Sequence, residues 1–245
     1  MAKPELIIQD MAGINNGDLE GTRTRLIKGG SWKKQRIIVI LPSADMISAK
    51  VALSHWNLAF PPNNGVVRIL ALGQEVGEAY SNAIDGILAD PNLSQWEFVL
   101  TLESDNCPPA DGVIKLVEQM EAHPEYSVIG GLYFTKGPGG VAQIWGNPAE
   151  PLNFMPQLPD ANQGLVPCIG TGMGFTMFRL SMFKDTKLRR PFFKTQVHGG
   201  VSTQDLYFFS DCIKYGYKAA IDCSIKVGHY DKDGSFSGGI VDMMW

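Results

Sequence analysis

Along the chain, short unbroken apolar runs alternate with longer stretches in which apolar residues are spaced. Ile37-Ile38-Val39-Ile40-Leu41 is continuous and stops at Pro42-Ser43, the pattern of a strand covered on both faces. Val66 to Leu72, ended by Gly73, is a second run, and Glu97 to Leu102 a third. Met46 to Ala59 can be helical. From Val76 the apolar positions Ala79, Tyr80, Ala83, Ile84, Ile87 and Leu88 recur at three- and four-residue steps, which predicts a helix with one buried face ending near Asp90-Pro91. A polar loop, Glu103-Ser104-Asp105-Asn106, precedes two prolines and an amphipathic helix carrying Val113, Leu116, Val117 and Met120. Val128 to Phe134 then supplies a fourth strand.

The pattern changes after Thr135. Up to Leu165 it is dominated by Gly, Pro, Asn and Gln with isolated Trp145, Phe154 and Met155, a long irregular segment of the kind that lines or covers a site. Gly174 to Arg179 reads as a strand, Asp205 to Tyr215 as a helix closed by Gly216, and Lys218 to Val227 as a last strand running into Gly228-His229. Residues 1–35 lack sustained periodicity and read as an extension, and residues 231–245 read as a flap. Alternating strands and helices predict one α/β domain over 36–245 with a mostly parallel, doubly wound sheet. Ligands are then expected outside the carboxyl ends of the strands, at Pro42-Ser43, Gly73-Gln74 and Glu103 to Asn106.

Composition narrows this picture in a few respects. With 245 residues, 44% hydrophobic and 19% charged, the chain can bury one substantial core. Its apolar runs are strand-sized, far short of the roughly 20 residues that cross a bilayer, and the N-terminus lacks the pattern of a secretory signal; a cytoplasmic location is expected. Four cysteines without a C-x-x-C pair argue for reduced, buried thiols. A net charge of −4 gives no global attraction to nucleic acid. Two stretches are locally basic: Arg23 to Arg36, and Lys184 to Lys194 with Phe192 and Phe193 among the cations. Either could meet a polyanion or be a solvated face.

Candidate chemistry concentrates after the third strand. Glu103 and Asp105, one residue apart, can hold a hard divalent cation such as Mg²⁺ or Mn²⁺, which would bridge the phosphates of a nucleotide diphosphate. Asp105 could equally cap the following helix. Ile169 to Arg179 places Gly170, Gly172 and Gly174 before a strand, where a backbone must pass close to a ligand or to another segment. Ser202-Thr203-Gln204-Asp205, an apolar-faced helix and Tyr215-Gly216-Tyr217-Lys218 follow.

This succession resembles the GT-A glycosyltransferases, particularly family 2-like enzymes of phage and bacterial type, over residues 36 to 230. The matching stretches are Ile37 to Ser43, Glu103 to Asp105, Gly170 to Arg179, Gln204-Asp205 with Tyr215 to Lys218, and Val227 to His229. The resemblance implies a GT-A (Rossmann-like) single domain with a nucleotide-binding half at 36–134 and an irregular acceptor and catalytic half at 135–230. It implies a UDP- or GDP-sugar donor and a Mn²⁺ or Mg²⁺ ion held by Asp105 and His229, with Glu103 in place of the usual first Asp. Asp205 stands at the catalytic base, although Gln204 replaces an acidic residue and Ser202-x-x-Asp205 also reads as a capping box. Pro42, Ser43, Asp45, Gly73, Gln74 and Ser104 are implied for the nucleotide. Ser81-Asn82 lie where related enzymes carry Arg-Asn beside the diphosphate, which leaves Asn82 as a contact. Trp145 and Tyr133 are candidates for stacking on a sugar or base, with core packing as the alternative. The acceptor is left open between a glycan and a modified nucleic acid.

Two rival readings carry different expectations. One is a non-catalytic nucleotide-sugar-binding module, which Gln204 and Ser81 would permit. The other is a sugar-nucleotide pyrophosphorylase, suggested by Gly21-Thr22-Arg23-Thr24-Arg25-Leu26 but lacking an apolar strand before it to position a phosphate cradle.

Overall fold

The computed structural model describes residues 18–29, 34–62, 65–137, 139–195 and 203–230. In chain order the elements are α1 (Leu19–Gly29), β1 (Ile37–Ser43), α2 (Ala49–Asn57), β2 (Val66–Leu72), α3 (Val76–Ala89), β3 (Phe98–Leu102), β4 (Asn106–Cys107), α4 (Gly112–Ala122) and β5 (Val128–Leu132). They continue with β6 (Ile144–Trp145), β7 (Leu165–Cys168), β8 (Gly170–Thr171), β9 (Phe175–Arg179), α5 (Gln204–Lys214), β10 (Ala219–Lys226) and β11 (Gly228–His229). Short 3₁₀ turns lie at Leu93–Gln95 and Leu180–Lys184.

Strand β1 is buried along its whole length because its alternate side chains feed two different cores. Ile38 and Ile40 pack with Tyr80, Ala83, Ile84 and Ile87 of α3. Ile37, Val39 and Leu41 pack with Val113, Leu116, Val117 and Met120 of α4 on the other side. A solid apolar run is what a strand sandwiched between helix layers needs. The sevenfold sheet runs β2-β1-β3-β9-β5-β10-β7. β2, β1 and β3 are mutually parallel, and so are β5 and β10. β9 is inserted antiparallel between β3 and β5, and β7 closes the edge antiparallel to β10. The result is a mostly parallel sheet in a three-layer α/β domain, as the alternation predicted, with the direction of β9 and β7 added by the structure.

Three differences from the sequence reading have identifiable causes. Residues 19–29 form a helix where no periodicity was visible, because α1 is tied to α4 by polar anchors. Asp18 N–H and Thr22 Oγ1 donate to Asp111 Oδ2 at 2.8 and 3.2 Å, and Arg25 pairs with Glu118 at 3.0 Å. The segment after Thr135 contains the two-residue strand β6, which pairs with β8, too short to leave a period. The helix expected from Met46 starts at Ala49. The expected C-terminal flap, residues 1–17 and Ser202 lie outside the described residues. Among the described residues, no helix is long and apolar enough to cross a membrane, and all four cysteines are buried free thiols.

Candidate functional site

The acidic turn leaves β3 and is fastened from several sides. Glu103 N–H donates to Gly174 O and Asn106 N–H to Glu103 O. β4 then pairs antiparallel with β11, setting Asn106 opposite His229, and Tyr230 N–H donates to Asp105 O at 2.7 Å. This small ladder is what brings a residue from the end of the chain to the turn after β3. From α2, His55 Nε2 lies 2.9 Å from Asn106 O; a carbonyl only accepts, so this nitrogen carries the proton.

His229 and Asp105 consequently face one another, with Nε2 3.7 Å from Oδ2. His229 Nδ1 is 2.7 Å from Phe134 O; a carbonyl only accepts, so Nδ1 donates and Nε2 is the nitrogen that faces Asp105. The Tyr133 ring packs edge-on against the imidazole at 5.5 Å and fixes its plane. Lys136 Nζ also reaches Asp105 Oδ2, at 2.6 Å. Burial pushes the Asp105 carboxyl up, but His229 and Lys136 together outweigh it and hold it at about 2.

Glu103 turns the other way. Its Oε1 accepts from the Tyr80 hydroxyl at 3.2 Å. Burial first, and then the nearby Asp105 and Asp205 carboxylates, push it up to about 8. Burial also raises Asp205, against the pull of the Thr203 hydroxyl and the Leu206 N–H. Two acidic positions separated by one residue thus end in opposite states, one ionised and one protonated near neutrality.

A pocket of about 290 Å³ opens over the carboxyl ends of β1 and β3. Of the residues expected from the sequence, Pro42, Ser43, Gln74, Glu103, Ser104 and Asp105 line it together. Ala44, Val76 and Gln204 complete the wall. Val76 and Gln204 are the first residues of α3 and α5, so two helix N-termini open onto the same space. A larger cavity of about 350 Å³ lies elsewhere, beside Pro148, Ile213 and Tyr217; neither the acidic turn nor His229 reaches it.

Other expected residues are placed differently. Asp45 and Gly73 both have positive φ, 77° and 66°, and shape the loops after β1 and β2 rather than the pocket wall: Asp45 N–H donates to Ser43 Oγ and Gly73 N–H to Ser43 O. Asn82 donates to Gln74 Oε1 at 2.8 Å and reaches the pocket through that side chain. Asp205 is buried, does not line the pocket although its neighbour Gln204 does, and accepts from Leu206 N–H, while the N-cap of α5 is Thr203.

Ser81 is turned into the core. Its hydroxyl is buried and exchanges hydrogen bonds with the backbone of Phe193, both at 3.0 Å. In the basic stretch, Phe192 and Phe193 are core residues. Arg189 pairs with Asp211 at 3.2 Å and Arg190 pairs with Asp85, so the aromatics form no stacking platform and these two cations are already neutralised. Tyr133 is buried, and its hydroxyl accepts from Gly174 N–H; it is a core residue, not a stacking surface. Trp145 is half-buried and donates to Gln143 Oε1. Gly21 to Leu26 lie inside α1 and form no strand-to-helix phosphate loop. Sequence reasoning missed Lys136, His55, Val76 and Ala44, since single residues of common types announce nothing until the fold gathers them.

Among the described residues, no group of three or more His, Cys, Asp or Glu side chains is placed to hold a metal ion. The pair Asp105 and His229 nevertheless fits a hard divalent cation of the kind that takes a small number of protein donors and completes its shell with water and phosphate oxygens. The imidazole aimed by Phe134 O so that Nε2 faces Asp105 is the structural observation behind that fit.

Fold and site together define a class: an α/β protein of GT-A-like fold, with an acidic turn and an imidazole meeting over the carboxyl ends of parallel strands. No protein-family model and no curated protein matches the chain. Among solved structures, "A197 from STIV" is similar with a TM-score of 0.57 and 17% identity, over 81% of this chain and 87% of that one. The structure of "S. aureus TarS 1-349" is similar with a TM-score of 0.47 and 13% identity, over 76% of this chain and 58% of that one. The first likeness shows the fold and nothing finer; the second adds no weight to it.

Proposed function

We propose that the protein is a metal-dependent glycosyltransferase that moves a sugar from a UDP- or GDP-sugar to an acceptor hydroxyl. The observation that carries this reading is the meeting of Asp105 and His229 at 3.7 Å beside a pocket over the carboxyl ends of β1 and β3. Asp105, its carboxyl held at about 2, and His229, whose Nε2 faces it, are the protein donors proposed for Mn²⁺ or Mg²⁺. Such an ion, when bound, neutralises charge on the departing diphosphate. The first residues of α3 and α5, Val76 and Gln204, line the same space, but the Glu75 carboxylate already caps the first turn of α3. Ser43, Gln74 and Ser104 offer hydroxyl and amide groups to the rest of the nucleotide.

Asp205 is the proposed base. Its carboxyl is raised by burial, which brings a carboxylate closer to the affinity needed to accept a proton from an attacking hydroxyl. Glu103, held protonated by burial and by its acidic neighbours, is proposed to support the turn and not to coordinate the ion. A second reading, a nucleotide-sugar-binding module without turnover, is favoured by one observation: Gln204 lines the pocket and the buried Asp205 does not.

The two readings separate on incubation with Mn²⁺ and a panel of UDP- and GDP-sugars. Slow release of free nucleotide, falling at least about a hundredfold in Asp105→Ala, is expected for the enzyme. Tight nucleotide binding with no release identifies the module. Release that survives Asp105→Ala undiminished would sink the metal-dependent reading.

A further inference from the structure

We propose that Lys136 is an exchangeable counter-ion of the site: it neutralises Asp105 while no divalent ion is bound, and it passes to the donor diphosphate when an ion takes that carboxylate. This rests on the reading of Asp105 and His229 as ligands of a divalent ion. Lys136 Nζ lies 2.6 Å from Asp105 Oδ2, and His229 Nε2 approaches the same oxygen at 3.7 Å. The ammonium therefore occupies the Asp105 oxygen nearest His229, where a divalent ion held by both residues would compete with it. A doubly charged ion and an ammonium on one carboxylate oxygen repel each other, so binding of the first displaces the second.

The local backbone makes the lysine side chain the moving part. Phe134 and Ala142 form an antiparallel bridge. Thr135 N–H donates to Val141 O at 2.9 Å, and Val141 N–H donates to Thr135 Oγ1 at 3.0 Å. Lys136 thus projects from the closed base of a hairpin whose turn contains Gly137 and Gly139 at φ 93° and 73°. Its four-carbon stem can reorient without disturbing that base. The same hairpin accepts the His229 Nδ1–H at Phe134 O, so one short segment both aims the imidazole and supplies the cation. Asp105 itself lines the pocket, which puts a displaced ammonium at its mouth, where a diphosphate offers the nearest compensating charge.

Lys136 is accordingly a competitor of the ion in the nucleotide-free protein and a partner of it in the loaded one. The test is Mn²⁺ titration of the full chain, followed by the loss of the free-ion electron spin resonance signal, without nucleotide and with UDP or GDP. For Lys136→Met, Mn²⁺ alone is expected to bind tighter, on the order of fivefold. Affinity for the nucleotide in the presence of Mn²⁺ is expected to fall on the order of tenfold. The coupling between ion and nucleotide then shrinks from both sides, which a merely structural lysine would not produce. Lys136→Arg should restore both affinities, and near-ultraviolet dichroism of each variant reports its folding. Mn²⁺ affinity unchanged or weakened in a folded Lys136→Met, with Asp105→Asn abolishing it, would overturn the counter-ion while leaving the metal site standing. Unchanged nucleotide affinity would overturn the transfer to the diphosphate. Failure of both the unaltered protein and Lys136→Met to bind Mn²⁺ would overturn the metal reading along with this one.

Discussion

Glu103 and Asp105 are separated by one residue and differ in everything that decides a carboxyl's charge. Asp105 has a lysine and an imidazole against it; Glu103 has a tyrosine hydroxyl, a buried setting and two acidic neighbours. The consequence for stability has a definite sign. Glu103 in the folded protein titrates at about 8, against 4.5 for an ordinary glutamate. Between those values the folded state holds a proton that the unfolded chain releases, so stability is highest below the lower value and falls as pH rises through the upper one. One such group contributes a slope of at most about 1.4 kcal/mol per pH unit. Thermal melts of the protein between pH 5 and pH 9 should show Tm declining with pH, and Glu103→Gln should flatten the decline. An unaltered slope in Glu103→Gln would show that the carboxyl is already ionised in the fold. At the same scale, Asp205→Asn should lower kcat strongly while leaving nucleotide affinity nearly unchanged, because Asp205 is not among the residues lining the pocket; equal losses in both would point to a role in binding.

Among the elements, the segment joining β8 to β9 shows what the glycines are for. A Cβ at Gly172 would run into the Tyr133 hydroxyl, and one at Gly174 would lie 2.5 Å from Asn106 Oδ1. These positions are small so that β9 can slide in beside β3 under Tyr133, the same ring that steadies His229. Gly172→Ala should cost about 1–3 kcal/mol in chemical denaturation and weaken Mn²⁺ binding through the displaced ring; a full-strength ion site in a destabilised variant would break that link. Ser81 gives a second test. If its hydroxyl serves only to tie α3 to the backbone of Phe193, Ser81→Ala should lose about 1–3 kcal/mol of stability and keep its nucleotide affinity. Normal stability with lost affinity would return Ser81 to the phosphate.

At the scale of the whole molecule, charge and topology act together. The net charge is −4, and the arginines of the basic, aromatic stretch are held by Asp211 and Asp85. Binding to duplex DNA should therefore be undetectable by fluorescence anisotropy even at about 50 mM salt, where electrostatic binding is strongest. Binding with a steep salt slope would restore nucleic acid as an acceptor class. The site itself is a product of topology. β10 and β11 carry His229 back past β5, and pairing of β11 with β4 delivers it to the turn after β3.

The sequence by itself determined the elements whose burial writes a long signal: the solid run of β1, the three- and four-residue period of α3 and α4, and with them the α/β class and the end of the sheet where the pocket opens. It also paired Asp105 with His229, which the fold brings to 3.7 Å, because motif order survives where periodicity does not. Strand direction lay beyond it, since an apolar run reads the same whichever way β9 or β7 is laid. Polar anchoring hid α1, and two-residue strands such as β4, β6 and β11 are too brief to have a pattern. Above all, tertiary structure decided the state of each charged group: Arg189 neutralised, Phe193 buried, Glu103 turned to Tyr80, Lys136 laid on Asp105. A residue's type is local, whereas its charge, burial and partner depend on segments brought near it only by folding.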